Sequence, residues 1–348
     1  MQIRSRLLAL VPFTLTAVAL GASVASAQDA TADPVTGGAT AAAPAAGASG
    51  ATNPPSPPVR EARVNLRLKG LNHGRLTVGN RFTAAGTLAP YVKGERVTLI
   101  VRRGTKTIKR KVVTPKLKKG SNFSRFSISQ KQTAPGRYSV QAIHKRSSKL
   151  TFSQDRSKGF KVRYPDLRQG NRSSTVQLFN RLLAKQGYVN DGGKSFDSAT
   201  ARAVLAYRKV NQMSWNSKAS GSIFKKLAKG KGGYKVKHPG SGKHVELDIS
   251  RQILVLAKGG KTDEIYHTST GSSATPTPTG TWRFYRKEPG FNNLEMYYSV
   301  YWNRGYATHG YKSVPTYPAS LGCARNPIPD AKHIYDWIDL GDLIHVDR

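Results

Sequence analysis

The sequence predicts a multidomain, mostly β protein. A small three-helix bundle separates a β-sandwich from a larger, mostly β C-terminal domain. Residues 61–163 and 234–348 alternate apolar and polar positions between turn residues, which is typical of strands. Residues 166–230 instead repeat apolar positions at helical spacing. The 348 residues of the chain exceed what one compact domain usually takes, so several domains are expected.

The N-terminal segment has the pattern of an export signal. Two arginines precede an apolar run, and Ala25, Ser26 and Ala27 end it with the small residues of a cleavage site. This predicts a secretory signal peptide over residues 1–27 with cleavage after Ala27, and an uncleaved membrane anchor is the alternative. No later stretch approaches the roughly 18 apolar residues of a second membrane span. We therefore expect an exported protein.

Most of the +37 net charge lies in residues 61–163, well after the signal segment. Residues 61–163 hold 26 Lys and Arg against three acids, a net of +23, whereas residues 234–348 hold 14 against 11, a net of +3. Inside a cell, so strong a positive charge would suggest that the protein binds nucleic acid. On an exported protein we expect no nucleic-acid partner. We expect these charges instead to bind anionic envelope polymers by non-specific electrostatic attraction. Simple solvation of the charges is the alternative.

Between the signal segment and the helices, the sequence predicts a linker and then a sandwich. Residues 28–60 are rich in Ala, Gly, Pro, Thr and Ser and cannot bury a core, so they predict a disordered linker. Residues 61–163 contain short alternating runs, with turns at Gly94, Gly104 and Gly120. Their spacing resembles that of an immunoglobulin-like domain, so a basic accessory sandwich is expected here.

Residues 166–230 predict three helices. Val176 and Leu183 share one face of the first helix, and Asp197 is placed to cap the second. The stretches LRQG, FD and AVLAY resemble the peptidoglycan-binding-like domain of bacterial wall enzymes. Arg208 stands where that family usually has glutamine. A bundle that serves only as a spacer is the alternative.

Cys323, the single cysteine of the chain, is the candidate nucleophile. A lone thiol in an exported chain indicates a reactive group or an intermolecular disulfide, and a buried inert cysteine is the third option. A thiol attacks as the thiolate, and an imidazole can take its proton and later pass it to a leaving amine. His309 ends a predicted strand fourteen positions earlier and is the candidate base. Gly322 lets backbone amides beside the cysteine approach a reacting carbonyl as an oxyanion hole.

Two other chemistries fit the sequence less well. A zinc site could draw on His333 and His345, but the chain has no Cys-x-x-Cys or His-Glu-x-x-His spacing. We therefore expect no metal and no cofactor. Ser320 as a nucleophile lacks the Gly-x-Ser-x-Gly elbow. Catalysis by a cysteine and a histidine is the leading interpretation.

The two candidate residues belong to a longer motif. The sequence reads His309-Gly310 and then, after a gap, SLGCAR over residues 320–325. Upstream lie LDISRQILVLAKGGK, TSTGSSATPTPTGTWRF and MYYSVYWNRGYATHG. With these stretches, residues 234–348 resemble the catalytic domain of YkuD-type L,D-transpeptidases. The pattern of that family is His-Gly/Ser, a gap, and Ser/Thr-His-Gly-Cys-x-Arg/Asn.

The resemblance implies acyl transfer on bacterial peptidoglycan. Cys323 would attack the carbonyl before a terminal D-alanine of one stem peptide and form a thioester, while His309 protonates the leaving D-alanine. An amine of a second stem would take the acyl group and give a 3→3 crosslink, whereas water would give carboxypeptidase action. The remaining residues expected to bind substrate, form the oxyanion hole or brace the turn are Ser320, Gly322, Gly310 and Arg325.

One position departs from the family pattern. Leu321 stands where the family has a second histidine, so a catalytically weak or inactive wall-binding protein is the alternative. Tyr298, Tyr301 and Tyr306 precede His309, and for these we expect core packing, with lining of the cleft as the alternative. The protein is expected to be a monomer on the cell-wall or periplasmic side of a bacterial cytoplasmic membrane. Its expected partners are the stem peptides and the glycan of peptidoglycan.

Overall fold

Strands dominate residues 57–348, which the computed structural model describes. The described residues cluster as one compact unit, and the predicted signal peptide and nearly all of the predicted linker lie outside them. In the part of the chain that is described, no helix has the length and apolar character needed to cross a membrane. The domain boundaries given above stay predictions.

Two sheets pack face to face after the linker. Their strands are β1 (Arg63–Lys69), β2 (Arg75–Thr77), β3 (Arg81–Ala89), β4 (Val97–Arg103), β5 (Lys106–Val113), β6 (Lys116–Leu117), β7 (Ser124–Lys131), β8 (Gly136–His144), β9 (Ser153–Arg156) and β10 (Phe160–Arg163). One sheet has the order β1-β3-β7-β6, and the other has the order β2-β10-β8-β4-β5 with β9 beside β8. Val64, Phe82 and Ile128 of the first sheet share a core with Leu99 and Val140 of the second. The immunoglobulin-like classification stays a prediction.

Three helices follow these sheets: α1 (Ser174–Ala184), α2 (Ser198–Val210) and α3 (Gly221–Ala228). The Asp197 side chain accepts a hydrogen bond from the Thr200 N–H, so the predicted N-cap of α2 is confirmed. Val176 and Leu183 are fully buried, as the helical periodicity predicts. Whether these helices form a peptidoglycan-binding-like domain stays a prediction.

Two further sheets and one helix make up the C-terminal part. The elements are β11 (His244–Asp248), β12 (Ile253–Lys258), β13 (Lys261–His267), β14 (Gly280–Arg283), β15 (Arg286–Phe291), β16 (Tyr297–Asn303), β17 (Tyr306–Tyr311), β18 (Ala324–Pro327), α4 (Ile328–Trp337) and β19 (Leu343–Asp347). The sheet orders are β13-β12-β11-β19-β14 and β15-β16-β17-β18. Ala331 and Ile334 bury one face of α4, and this helix packs on β16 and β17.

Helix α2 also packs on the C-terminal part of the protein, against β12 and β13. Arg202 on α2 donates two hydrogen bonds of 2.8 Å to the carboxylate of Asp330 on α4. Both side chains are largely buried, so this bidentate pair also fixes the orientation of α2 on the C-terminal sheets.

Candidate active site

The two candidate catalytic residues lie on neighbouring chain segments, at strands β17 and β18. These strands run in parallel, with His309 in register with Arg325, and Cys323 directly precedes β18. The Tyr311 ring contacts the His309 ring edge-on at 5.7 Å and lies 4.3 Å from the Arg325 guanidinium. His309, Tyr311 and Arg325 therefore share one face of the sheet, and Cys323 lies two residues before Arg325, just ahead of β18.

His309 is held as a neutral base. Its Nδ1 lies 2.9 Å from the Gly310 carbonyl oxygen, which can only accept, so Nδ1 carries the proton and Nε2 keeps its lone pair. The ring is 3% exposed, and burial lowers the pKa of His309 to about 4. The hydrogen bond to Gly310 opposes this shift, whereas the charge of Arg325 adds to it. At neutral pH the imidazole is ready to accept a proton.

Cys323 carries a protonated thiol at rest. Burial raises the pKa of this thiol, and a hydrogen bond to the backbone of Ala307 and the charge of Arg325 oppose the rise. The Sγ atom lies 3.7 Å from the Gly305 carbonyl oxygen. A neutral thiol and a neutral imidazole do not form an ion pair at rest. The thiol proton must therefore move to the base during attack.

The turn before Cys323 is braced by hydroxyl groups. Ser320 Oγ donates to the Cys323 carbonyl at 2.6 Å and accepts from the Gly322 N–H at 3.0 Å. Thr277 Oγ1 donates to the Gly322 carbonyl at 2.7 Å. Because Ser320 engages the Gly322 N–H, that amide is not free to bind an oxyanion in this arrangement. Gly322 has a φ of +116°, and its α-carbon packs against the ring of Tyr306.

Hydroxyl groups of residues 268–277 donate hydrogen bonds to the segment that carries the nucleophile. Thr268 Oγ1 donates to the Arg325 carbonyl at 2.8 Å, and Thr275 Oγ1 donates to the Ser320 carbonyl at 2.9 Å. The backbone of Ser269 exchanges two hydrogen bonds with Arg325. Sequence reasoning assigned no role to these threonines, although their density in TSTGSSATPTPTG was a usable signal.

Leu321 and Arg325 have different surroundings. Leu321 is 80% exposed, so its side chain points into solvent. The half-buried Arg325 lies over Tyr311 and reaches the Ala319 carbonyl at 3.4 Å. Tyr301 is buried, as expected for core packing, whereas Tyr298 and Tyr306 are half-buried.

Lys209 on α2 is a buried amine that the sequence did not reveal. It is 1% exposed, and its Nζ donates to His267 Nδ1 at 2.8 Å and to the carbonyls of Gln252 and Thr268 at 3.1 and 3.3 Å. The other ring nitrogen of His267 donates to the Val314 carbonyl, in the loop between the two candidate catalytic residues. Burial lowers the pKa of Lys209 to about 7 and that of His267 to about 3. Lys209 thus links α2 to the loop that carries the nucleophile.

Stability is expected to depend on pH through Lys209. Between pH 7 and the ordinary lysine value of 10.5, the unfolded chain binds this proton and the folded chain does not. Raising the pH through this window therefore favours the folded wild type relative to Lys209→Met, by about 5 kcal/mol at most. The measurement is the free energy of unfolding in urea from pH 6.5 to 10 for both proteins. Parallel curves would contradict the prediction, and Lys226→Met on the exposed face of α3 is the control.

Comparison with known proteins identifies the C-terminal part. Residues 242–346 match the family model of YkuD, the L,D-transpeptidase catalytic domain. This segment therefore belongs to that family, whose members are cysteine acyltransferases that act on peptidoglycan. The resemblance seen in the sequence is confirmed for this domain. No curated protein matches the chain.

Solved structures similar to the chain include three L,D-transpeptidases. One from Xylanimonas cellulosilytica is 26% identical over 53% of this chain and 97% of that chain, with a TM-score of 0.49. One from Stackebrandtia nassauensis is 22% identical over 52% and 95%, with a TM-score of 0.34. One from Mycobacterium tuberculosis is 22% identical over 31% and 58%, with a TM-score of 0.29.

Proposed function

We propose that the protein is an exported L,D-transpeptidase that forms 3→3 peptidoglycan crosslinks through a thioester on Cys323. The observation that carries this proposal is the register of β17 and β18. It pairs His309 with Arg325, two residues after Cys323, which supports a catalytic pair on these neighbouring strands. The Nδ1–H of His309 is bound to the Gly310 carbonyl, so the basic nitrogen of the ring remains free to take a proton. The YkuD match of residues 242–346 supports the reaction class.

In the first half-reaction, His309 Nε2 takes the thiol proton as Cys323 Sγ attacks the carbonyl before a terminal D-alanine. The new C–S bond forms and the carbonyl oxygen becomes an oxyanion, for which the Cys323 N–H is the proposed donor. As the oxyanion collapses, the C–N bond breaks. His309 returns its proton to the leaving amine of D-alanine, and the thioester remains.

In the second half-reaction, an amine of another stem attacks the thioester carbonyl. His309 takes one proton from this amine and passes it to the departing sulfur, which restores the thiol and leaves an amide crosslink. Water in place of the amine gives carboxypeptidase action, by the same proton transfers. Because burial lowers the pKa of His309 to about 4, the ring is a free base at neutral pH, which is the form in which each half-reaction starts.

The upstream segments are proposed to hold the enzyme on the wall. The helices of residues 166–230 would serve as a peptidoglycan-binding-like domain, and residues 61–163 as an immunoglobulin-like, basic domain. Their combined excess of positive charge supports contact with anionic polymers. The protein is proposed to act as a monomer.

The test is turnover of disaccharide–tetrapeptide muropeptides by the purified protein. Wild type is expected to release D-alanine and to give crosslinked dimers in the mass spectrum. Cys323→Ala should lower both by at least about 10³-fold. Ser313→Ala, an exposed change in the same loop, is the control. Equal behaviour of wild type and Cys323→Ala would refute catalysis at this site.

A second candidate, a wall-binding protein without catalysis, follows from Leu321 in place of the family's second histidine. It predicts that wild type and Cys323→Ala both bind muropeptides and that neither protein releases D-alanine. Release of D-alanine without dimers would instead identify the carboxypeptidase. The three outcomes are therefore separated by one set of samples.

A further inference from the structure

The four-stranded sheet β1-β3-β7-β6 presents a concave outer face. Burial alternates along these strands, so that Val64 and Leu66 point into the core while Asn65 and Arg67 point outward. A depression of about 1150 Å³ lies on this face. We call this depression the cationic trough; the polar residues that line it include Arg67, Lys69, Thr87, Lys116, Arg125 and Ser127.

The strand register gives the trough a neutral floor and positive walls. The central strand β3 contributes the small side chains of Ala85 and Thr87 to the floor. Strand β1 contributes Arg67 and Lys69 on one side, and the strands beyond β3 contribute Arg125 and Lys116, which pair in register, on the other. Adjacent strands lie roughly 4.8 Å apart, so the walls are about 10 Å apart, which suits a single extended chain rather than a duplex.

The positive charges of the trough lack carboxylate partners. Among residues 57–348, Arg67, Lys69, Lys116 and Arg125 form no salt bridge; Arg125 does lie 5.8 Å from the Phe123 ring. The one acid that lines the trough is Asp155, and its carboxylate accepts the Leu66 N–H at 2.7 Å. The trough therefore carries four cations that an anionic ligand can neutralise.

The side chains of the trough also restrict the kind of anion. Proteins that bind single-stranded nucleic acid combine a positive groove with aromatic rings on which bases stack. The one aromatic residue of this lining, Phe126, is buried at 5% exposure. Large exposed apolar side chains, which would enter a lipid bilayer, do not line the trough either. A polymer that has phosphates but no bases matches this surface best.

We propose that the cationic trough binds an extended phosphodiester polymer without bases, of the polyol–phosphate class. This inference rests on the proposed function only through export, which would bring the trough to envelope polymers; it does not require catalysis. The phosphates would lie against the arginines and lysines of the two walls, and the polyol units would lie over Ala85 and Thr87.

The test measures the affinity of the full chain for poly(glycerol phosphate) at fixed salt. The triple variant Arg67→Gln, Lys69→Gln, Arg125→Gln is expected to lose affinity by about tenfold or more. The matched control is Lys106→Gln, Lys109→Gln, Lys111→Gln on the exposed edge strand β5, which removes the same charge and should change affinity by about twofold or less. All six side chains are exposed, so both variants should keep the fold.

Equal losses in the two triple variants would overturn the proposal, because they would show attraction to net charge alone. Two further probes distinguish the ligand class: a single-stranded oligothymidylate of equal charge, and phosphatidylglycerol vesicles. Tighter binding to either one than to poly(glycerol phosphate) would also overturn it. Cys323→Ala should bind the polymer with the affinity of wild type. The polymer-binding result can therefore be interpreted even if the catalytic proposal fails.

Discussion

Replacing His309 with glutamine is expected to lower the rate of acylation by about 10²- to 10⁴-fold without unfolding the protein. Glutamine is similar in size and keeps a polar amide in the buried site, but it cannot take the thiol proton as the imidazole does, whose Nδ1 now donates to the Gly310 carbonyl. Because the thiol of Cys323 has a raised pKa, the lost base is not replaced by a resting thiolate. The measurement is single-turnover formation of the acyl-enzyme under excess substrate.

His333→Gln is the matched control, since His333 is an exposed histidine of the same domain that contacts Glu264. It should acylate at the wild-type rate. The pH profile adds a second readout. Because His309 has a pKa of about 4, its base form persists across the neutral range and the rate should be lost only as the pH falls through about 4. An ascending limb near the ordinary histidine value of 6.5 would contradict the buried, neutral imidazole.

The second large effect is expected for Gly322→Ala. The φ of +116° is a conformation that alanine adopts only with strain, and an added methyl group would overlap the ring of Tyr306. Together these effects should lower the free energy of unfolding by about 3 kcal/mol. The backbone shift that relieves them would also displace the turn braced by Ser320 and Thr277, and with it the thiol.

The measurement combines urea unfolding with the rate of acylation of the folded variant. Gly259→Ala is the control, because Gly259 also has a positive φ, +56°, but no atom lies near the position of an added methyl group. Gly259→Ala should lower the free energy of unfolding only by the backbone strain, about 1 kcal/mol. If both variants lose the same stability and both acylate normally, the packing of Gly322 against Tyr306 has no role in placing the nucleophile.

The sequence predicted the helices well wherever apolar periodicity and a capping residue mark them. Asp197 caps α2, and Val176 and Leu183, which repeat at helical spacing, are buried on α1. One alternating run, GTWRFYRK, reads as a single strand, yet the structure divides it between β14 and β15. The reason is a change of partner, because the Phe284 N–H binds the Asp342 carbonyl whereas the Tyr285 N–H binds Tyr301 in the other sheet.

The site was predictable in its chemistry and less so in its supports. His309 and Cys323 could be chosen because acyl transfer needs a thiol and a base, and the motif supplied their spacing. The contact of Lys209 with His267 joins residues 58 positions apart, and no local pattern encodes it. The engaged N–H of Gly322 depends on the rotamer of Ser320, which the sequence SLGC does not specify.

Cys323 is proposed to be an activated nucleophile, and the most direct measurement of its reactivity is intact mass after incubation with a carbapenem, an inactivator of this enzyme family. Wild type is expected to gain the mass of one adduct, mapped by digestion to the peptide that contains Cys323, and Cys323→Ala is expected to gain none. An unmodified wild type, or an adduct of equal yield on Cys323→Ala, would contradict this proposal.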